Sequence, residues 1–196
     1  MKPPVRLLAL ASLALGLIAS ASAAVETYQI DPVHSSVAFS IRHFFTPVPG
    51  MFTKFNGTIV VDRDDLEKST VEATIEAASV NTRNDRRDGD LRSDRFFSAA
   101  QFPTITFKST SWKKTGENTF DVAGDLTIKN VTKPVVLKVK SLGFGPGMRP
   151  GSLLCGWQAT TTLNRNDFGI ATMPKILGDD VEITIGIEGH GMKAGG

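Results

Sequence analysis

Between Arg83 and Arg95 the chain gathers five arginines and four aspartates around Leu91, the one large apolar side chain of the run. Phe96, Phe97, Phe102 and Phe107 follow directly. Guanidinium groups collected in this way can hold a polar or anionic group through paired hydrogen bonds. They can equally form a solvated face of exposed ion pairs, each contributing little. Charges beside four phenylalanines suit the surroundings of an amphipathic ligand better than those of a reacting bond. Other chemistries find less support. His34, His43 and His190 are the three histidines, and none shows HxH, HExxH or Cys-His spacing, so no metal site is expected. Asp31, His34 and Ser35 have the residue types of a hydrolytic triad, but neighbours in one strand cannot reach its geometry. There is no GxSxG elbow. The Gly- and Pro-rich stretch 143–151 lacks the Lys and Ser/Thr of a phosphate loop. Cys155 stands alone, which excludes an internal disulfide and fits an inert core thiol.

The elements that must position these residues read as strands. Eight segments alternate apolar and polar side chains with a period of two. Their apolar sets are Val37, Phe39 and Ile41; Phe55, Ile59 and Val61; Val71, Ala73, Ile75 and Ala77; Ile105 and Phe107. Then come Phe120, Val122, Leu126 and Ile128; Val135, Leu137 and Val139; Cys155, Trp157, Ala159 and Leu163; Val181, Ile183, Ile185 and Ile187. One buried and one wet face per strand is the pattern of an antiparallel sheet. Turn residues at 115–118 and 143–151, and Lys129-Asn130 with Asn130 suited to a left-handed backbone, connect neighbours. The rhythm breaks only in 79–107, where residues 85–92 can form a short helix with Arg86–Asp90 and Asp88–Arg92 pairs. The expectation is an all-β, eight-stranded antiparallel barrel with a short helix and charged loop near residues 85–95.

A barrel of eight strands is just wide enough to be filled by side chains or to hold one small ligand. Ala73, Ala77, Ser109, Gly124, Ala159 and Thr161 are small residues on inward phases, set among Phe39, Phe107, Phe120 and Trp157. They could line a bore, or larger neighbours could fill the gaps they leave, as close packing demands. His43 is in phase with Phe39 and Ile41.

The totals bound the classes further. Lys2 and Arg6, the apolar run 7–18 and Ala21-Ser22-Ala23 form the three parts of a signal peptide, predicted to span residues 1–23. Cleavage leaves residues 24–196 as a single domain with 20 basic against 20 acidic side chains. A neutral chain without a basic stripe is a poor nucleic-acid binder. The apolar run is short for a membrane span. An exported protein is expected, periplasmic or secreted.

Certain residues in fixed order carry a resemblance: Tyr28-x-x-Asp31-x-x-His34-Ser35, Arg42-His43-Phe44, Gly50-x-Phe52-x-x-Phe55-x-Gly57 and Ala78-Ser79-Val80-x-Thr82. Arg87-Asp88, Leu91-Arg92-Ser93, Phe96-Phe97, Phe102-Pro103-x-Ile105-x-Phe107, Gly124-Asp125-Leu126-Thr127-Ile128 and Asn164-Arg165-x-Asp167-Phe168-Gly169 follow. From Tyr28 to Glu188 the chain resembles the YceI-like family, bacterial polyisoprenoid-binding proteins with a lipocalin-like barrel. The resemblance implies a noncatalytic binder of a long isoprenoid or isoprenoid-quinone lipid, for carriage or storage in the periplasm and linked to stress. The alternative is an enzyme acting on an isoprenoid-linked substrate. The lipid is the only bound group expected, with no cofactor, metal or nucleic acid. Transient membrane contact and a homodimer stay open.

The bore residues expected on this basis are Phe39, Ile41, Ala73, Ile75, Phe107, Phe120, Gly124, Trp157 and Ala159. The head group is expected near His43, Asn81, Arg83, Arg87, Asp88, Arg92, Phe96 and Phe97. Asp90 stands where the family usually has His, which disfavours an anionic head and leans towards a neutral or quinone-type one.

Overall fold

The computed structural model describes residues 25–192, so the signal-peptide expectation for residues 1–23 lies outside the described residues. Eleven strands form one antiparallel sheet: β1 (Val25–Ile30), β2 (Ser36–His43), β3 (Thr46–Phe52), β4 (Phe55–Asp62), β5 (Thr70–Glu76), β6 (Val80–Asn81), β7 (Thr104–Lys114), β8 (Thr119–Ile128), β9 (Val131–Pro146), β10 (Ser152–Asn164) and β11 (Leu177–Met192). The order β1-β4-β5-β7-β8-β9-β10-β11 closes through a β1–β11 pairing. The barrel therefore has eight strand positions, as the alternation predicts.

The three extra strands, β2, β3 and β6, arise where the chain interrupts a strand position and resumes it. The long β11 pairs with β1 through Gly189 to Gly191 and with β2 between Leu177 and Gly186. β1 and β2 thus occupy one strand position, broken at residues 31–35 by a corner containing Pro32. β4 and β3 share the next position, pairing with β1 and β2 respectively. β6 extends the sheet beside β3. Alternation does not reveal β1 or β3, since Pro47 and Pro49 interrupt β3 and β1 is too short to establish a period.

The turn between β8 and β9 departs from expectation in one detail: the left-handed residue is Lys129 (φ 57°), not Asn130. The helix α1 (Asp85–Arg92) has the predicted bounds. Asn84 caps it, its side chain accepting from the Arg87 N–H, which satisfies one of the orphan donors of the first turn. The two expected helical ion pairs do not form: Asp88 and Arg92 turn towards the barrel, and Asp90 pairs with Arg95 at 3.3 Å instead of with Arg86.

Side chains fill the two ends of the barrel differently. At the β1 end, Tyr28, Trp112, Phe120, Phe144 and Trp157 interlock, with centroids of successive rings 5.3 to 6.3 Å apart. Arg63 lies over the Phe144 ring at 3.8 Å and pairs with Glu26. Glu26 in turn accepts from the Tyr28 hydroxyl at 2.6 Å. Burial, then the Glu26 carboxylate, push the Tyr28 phenol well above its ordinary range. That end is closed.

Candidate functional site: a hollow half-barrel under a charged cover

The other half of the barrel encloses a cavity of about 520 Å³. Its wall is made by inward side chains of β2, β5, β7, β9, β10 and β11, among them Phe39, Ile75, Phe107, Leu137, Ala159 and Ile183. Glycines explain why rings line this space without filling it. A Cβ on Gly50 would collide with the Phe39 ring directly opposite, and one on Gly124 would collide with the Phe107 ring. Each ring therefore lies against the bare backbone of a glycine and keeps out of the bore.

Trp112 and Trp157 line the floor, where the hollow half meets the closed one. Both indole N–H groups are buried without a hydrogen-bond partner among the described residues. The Cys155 thiol lies beyond the lining, and burial pushes its pKa up to about 11.

Of the bore residues expected from sequence, Phe39, Ile41, Ala73, Ile75, Phe107, Trp157 and Ala159 line the cavity. Phe120 and Gly124 do not. Phe120 shares the inward phase but lies near the start of β8, so it packs against Trp112 in the closed end. Gly124 makes room for Phe107 rather than for the cavity itself. Phase tells which face a residue is on, not how far along the barrel it stands.

The cover divides similarly. His43, Arg87, Phe96 and Phe97 reach the lining, joined by Thr82, Asn84, Arg86, Asp90 and Leu91. Asn81, Arg83, Asp88 and Arg92 do not reach it, because three of them work as fastenings and Arg83 is exposed. The Asn81 side chain accepts from the Arg83 N–H. Buried Asp88 accepts from the Thr82 N–H at 2.8 Å and the Thr82 hydroxyl at 2.5 Å. Arg92 donates to the carbonyls of Ala78 and Val80. Arg87 has a double role, lining the cavity while donating to the hydroxyl and carbonyl oxygens of Thr82. Arg86 makes no ion pair or hydrogen bond with the described residues. The pattern i, i+3, i+4 separates Asp88 and Arg92 from Arg86 and Asp90, a signal present in the sequence once α1 is granted.

A second segment escaped the sequence reading. The run 164–169, which entered the sequence analysis only through the resemblance, holds the far rim of the cavity. Arg165, only 5% exposed, donates to the carbonyls of Gly178, Ile170 and Thr172 and reaches Asp179 at 3.4 Å. It thereby keeps Phe168, Ile170 and Met173 on the lining. Thr172 donates to the Arg95 carbonyl at 2.5 Å, tying this rim to the cover. Buried arginine was the missed signal, since such a group must be satisfied by many acceptors.

The triad types at the β1–β2 corner also resolve. His34 Nδ1 does reach Asp31 Oδ2, at 2.6 Å. Ser35 does not join them, since its hydroxyl donates to the Glu188 carbonyl and accepts from the Glu188 N–H. Among the described residues no helix is long and apolar enough to cross a membrane.

The chain is similar over its length to several known proteins. A UPF0312 protein of Ectopseudomonas mendocina is 39% identical over 185 residues, covering 92% of this chain and 96% of that one. The crystal structure of the Campylobacter jejuni YCEI protein matches with a TM-score of 0.70 and 31% identity, covering 76% of this chain and 88% of that one. A polyisoprenoid binding domain from Saccharophagus degradans shares the fold, with a TM-score of 0.63 at 15% identity over 84% of this chain and 98% of that one. The YceI-like domain model matches residues 28–189, and the chain belongs to the YceI-like family.

Proposed function

We propose that this protein binds a long isoprenoid lipid in the hollow half of its barrel. The observation that carries the reading is a cavity of about 520 Å³ walled by aliphatic and aromatic side chains, with charged groups confined to one end. Burying a prenyl chain there is favourable by roughly 25 cal/mol per Å² of apolar surface removed from water. A polyisoprenoid, the class of ligand for which the Saccharophagus degradans domain is named, has this chemistry. Among the described residues the lining holds no serine or cysteine, and the hydroxyls of Thr82 and Thr161 are committed to Asp88 and to the Val136 carbonyl. Binding therefore has better support than turnover. Native mass spectrometry of gently purified protein, followed by lipid extraction, is expected to recover a prenyl lipid in stoichiometric amount. Protein that neither retains nor takes up such a lipid would end the reading.

The polar end of the lipid is placed near His43, Asn84, Arg86 and Arg87, where it can stay wet or hydrogen-bonded. Asp90 beside them disfavours a second anion, which supports an uncharged or quinone-type head. Phe45, almost fully exposed at the β2–β3 turn next to His43, would serve brief membrane contact during loading. A reversed orientation has one observation in its favour: the unpartnered indole donors of Trp112 and Trp157 on the floor. The chain has only these two tryptophans, so fluorescence decides. A bound quinone head quenches them strongly if it lies on the floor and weakly if it lies at the mouth. Export to the periplasm, supported by the pattern of residues 1–23, is tested by fractionating cells.

A further inference from the structure

The β1–β2 corner brings together four side chains that the lipid reading does not use. Asp31 and His34 project from the corner, and Glu188 and His190 from the same outward face of β11, two residues apart. Each histidine nitrogen stands between the two carboxylates. His34 Nδ1 is 2.6 Å from Asp31 Oδ2 and 3.8 Å from Glu188 Oε1. His190 Nε2 is 2.8 Å from Glu188 Oε1 and 3.5 Å from Asp31 Oδ2. All four atoms lie within 4.8 Å of one another.

We propose that Asp31, His34, Glu188 and His190 form a binding site for a divalent transition-metal ion of the zinc class. Two imidazoles and two carboxylates are a donor set that zinc accepts in tetrahedral geometry. Bonds of about 2.0–2.1 Å imply edges of roughly 3.3 Å between ligand atoms. Two of the four contacts above are shorter than that edge and two are longer, and no pair of ligand atoms is farther apart than 4.8 Å, so side-chain rotations that move ligand atoms by about an ångström convert the cluster into a coordination shell. The charge also fits, because two carboxylates beside two imidazoles, which ligate a metal in their neutral form, leave two negative charges for a dication to balance.

Backbone and hydroxyl bonds hold the ligands in advance. The Asp31 N–H donates to the Glu188 carbonyl at 2.9 Å, and Ser35 bonds both backbone groups of Glu188. The Val33 N–H occupies Asp31 Oδ1, which turns Oδ2 towards the histidines. Such outer partners are what orient the ligands of metal sites. The spacing rules applied to the sequence could not show this, since corner and strand are more than 150 residues apart. The expected absence of convergent ligands was a statement about neighbours in sequence.

The site lies on the outside of the barrel, so it is independent of the cavity. An ion there would clamp the corner to β11 at the junction of the closed and hollow halves. The mature chain, tag-free and stripped with chelator, should take up one equivalent of Zn²⁺ by calorimetry. Co²⁺ in its place should show the intense visible bands of a tetrahedral N/O site. Saturating Zn²⁺ should also raise the melting temperature, as any ligand of the native state does. His190→Ala and His34→Ala should each weaken Zn²⁺ at least tenfold, and the double variant should abolish binding. Glu117→Ala, at the exposed β7–β8 turn, should leave Zn²⁺ uptake unchanged. Circular dichroism confirms that each variant is folded. The proposal is overturned if folded protein takes up no Zn²⁺ at micromolar concentration. Binding that survives in the double variant, or that Mg²⁺ displaces at equal concentration, overturns it as well. Lipid retention measured on the same samples keeps this outcome separate from that of the lipid reading.

Discussion

The two halves of this barrel use the same strand positions, the same alternation and the same kinds of residue, yet one is solid and the other hollow. In the closed half Tyr28, Trp112, Phe120 and Phe144 point across the bore and meet one another. In the hollow half Phe39 and Phe107 are just as aromatic, but each ring rests on a glycine of the neighbouring strand. The wall facing them is made of Ala73, Ala159 and branched aliphatics that do not span the gap. A void is thus created by where small residues fall relative to large ones, not by a change in overall hydrophobicity. The closed half supplies the packing energy that a hollow half forgoes.

The sharpest way to break this comparison is a matched pair of truncations. Phe120→Ala in the closed half should cost about 3–5 kcal/mol in urea unfolding, the range for deleting a buried aromatic ring. Ile183→Ala on the hollow wall should cost about 1 kcal/mol, near the centre of ordinary substitutions, while lowering lipid retention. Equal costs would mean that both halves are packed alike. Next in size is the fastening of the cover. Asp88→Ala leaves the Thr82 N–H and hydroxyl without their acceptor, at a cost of about 1–3 kcal/mol. Hydrogen exchange should then show α1 opening before the barrel, and exchange at the global rate would contradict a separable lid.

A smaller stability change, with a large functional one, is expected of Ala159→Phe. Its ring enters void, so unfolding should shift by well under the roughly 1–3 kcal/mol of overpacking a full core. Lipid retention should nevertheless be lost. A variant that is strongly destabilised would show that the wall is already in contact across the bore.

The smallest effect concerns Cys155 at the boundary, and it is confined to high pH. Burial raises the folded thiol from 9.0 to about 11, so the unfolded thiol ionises first as pH rises. The stability this contributes is complete below pH 9 and is lost as pH climbs towards 11. Cys155→Ala should flatten that part of the alkaline unfolding curve. Rapid alkylation of native protein at neutral pH would show instead that the thiol is accessible.

Much of this architecture was legible before any coordinates. Period-two alternation identified the eight strand positions, since it reports a face and every barrel strand has one wet and one buried face. The bounds of α1 followed from a break in that period and from the i,i+4 charge spacing, although the pairs that spacing suggested do not form. Seven of the nine expected bore residues line the cavity for the same reason. Tertiary structure alone decided the rest, because it sets depth along the bore and the meeting of distant segments. Depth put Phe120 in the closed end, and the close approach of strands assigned Gly124 to Phe107. The two faces of α1 split its charges into fastenings such as Asp88 and Arg92 and rim groups such as Arg86. Closure of the barrel brought His190 to His34 and let buried Arg165 hold a rim whose residues look like an ordinary turn. A sequence records which way each side chain points from its own backbone; what it points at is set by the strands that pack around it.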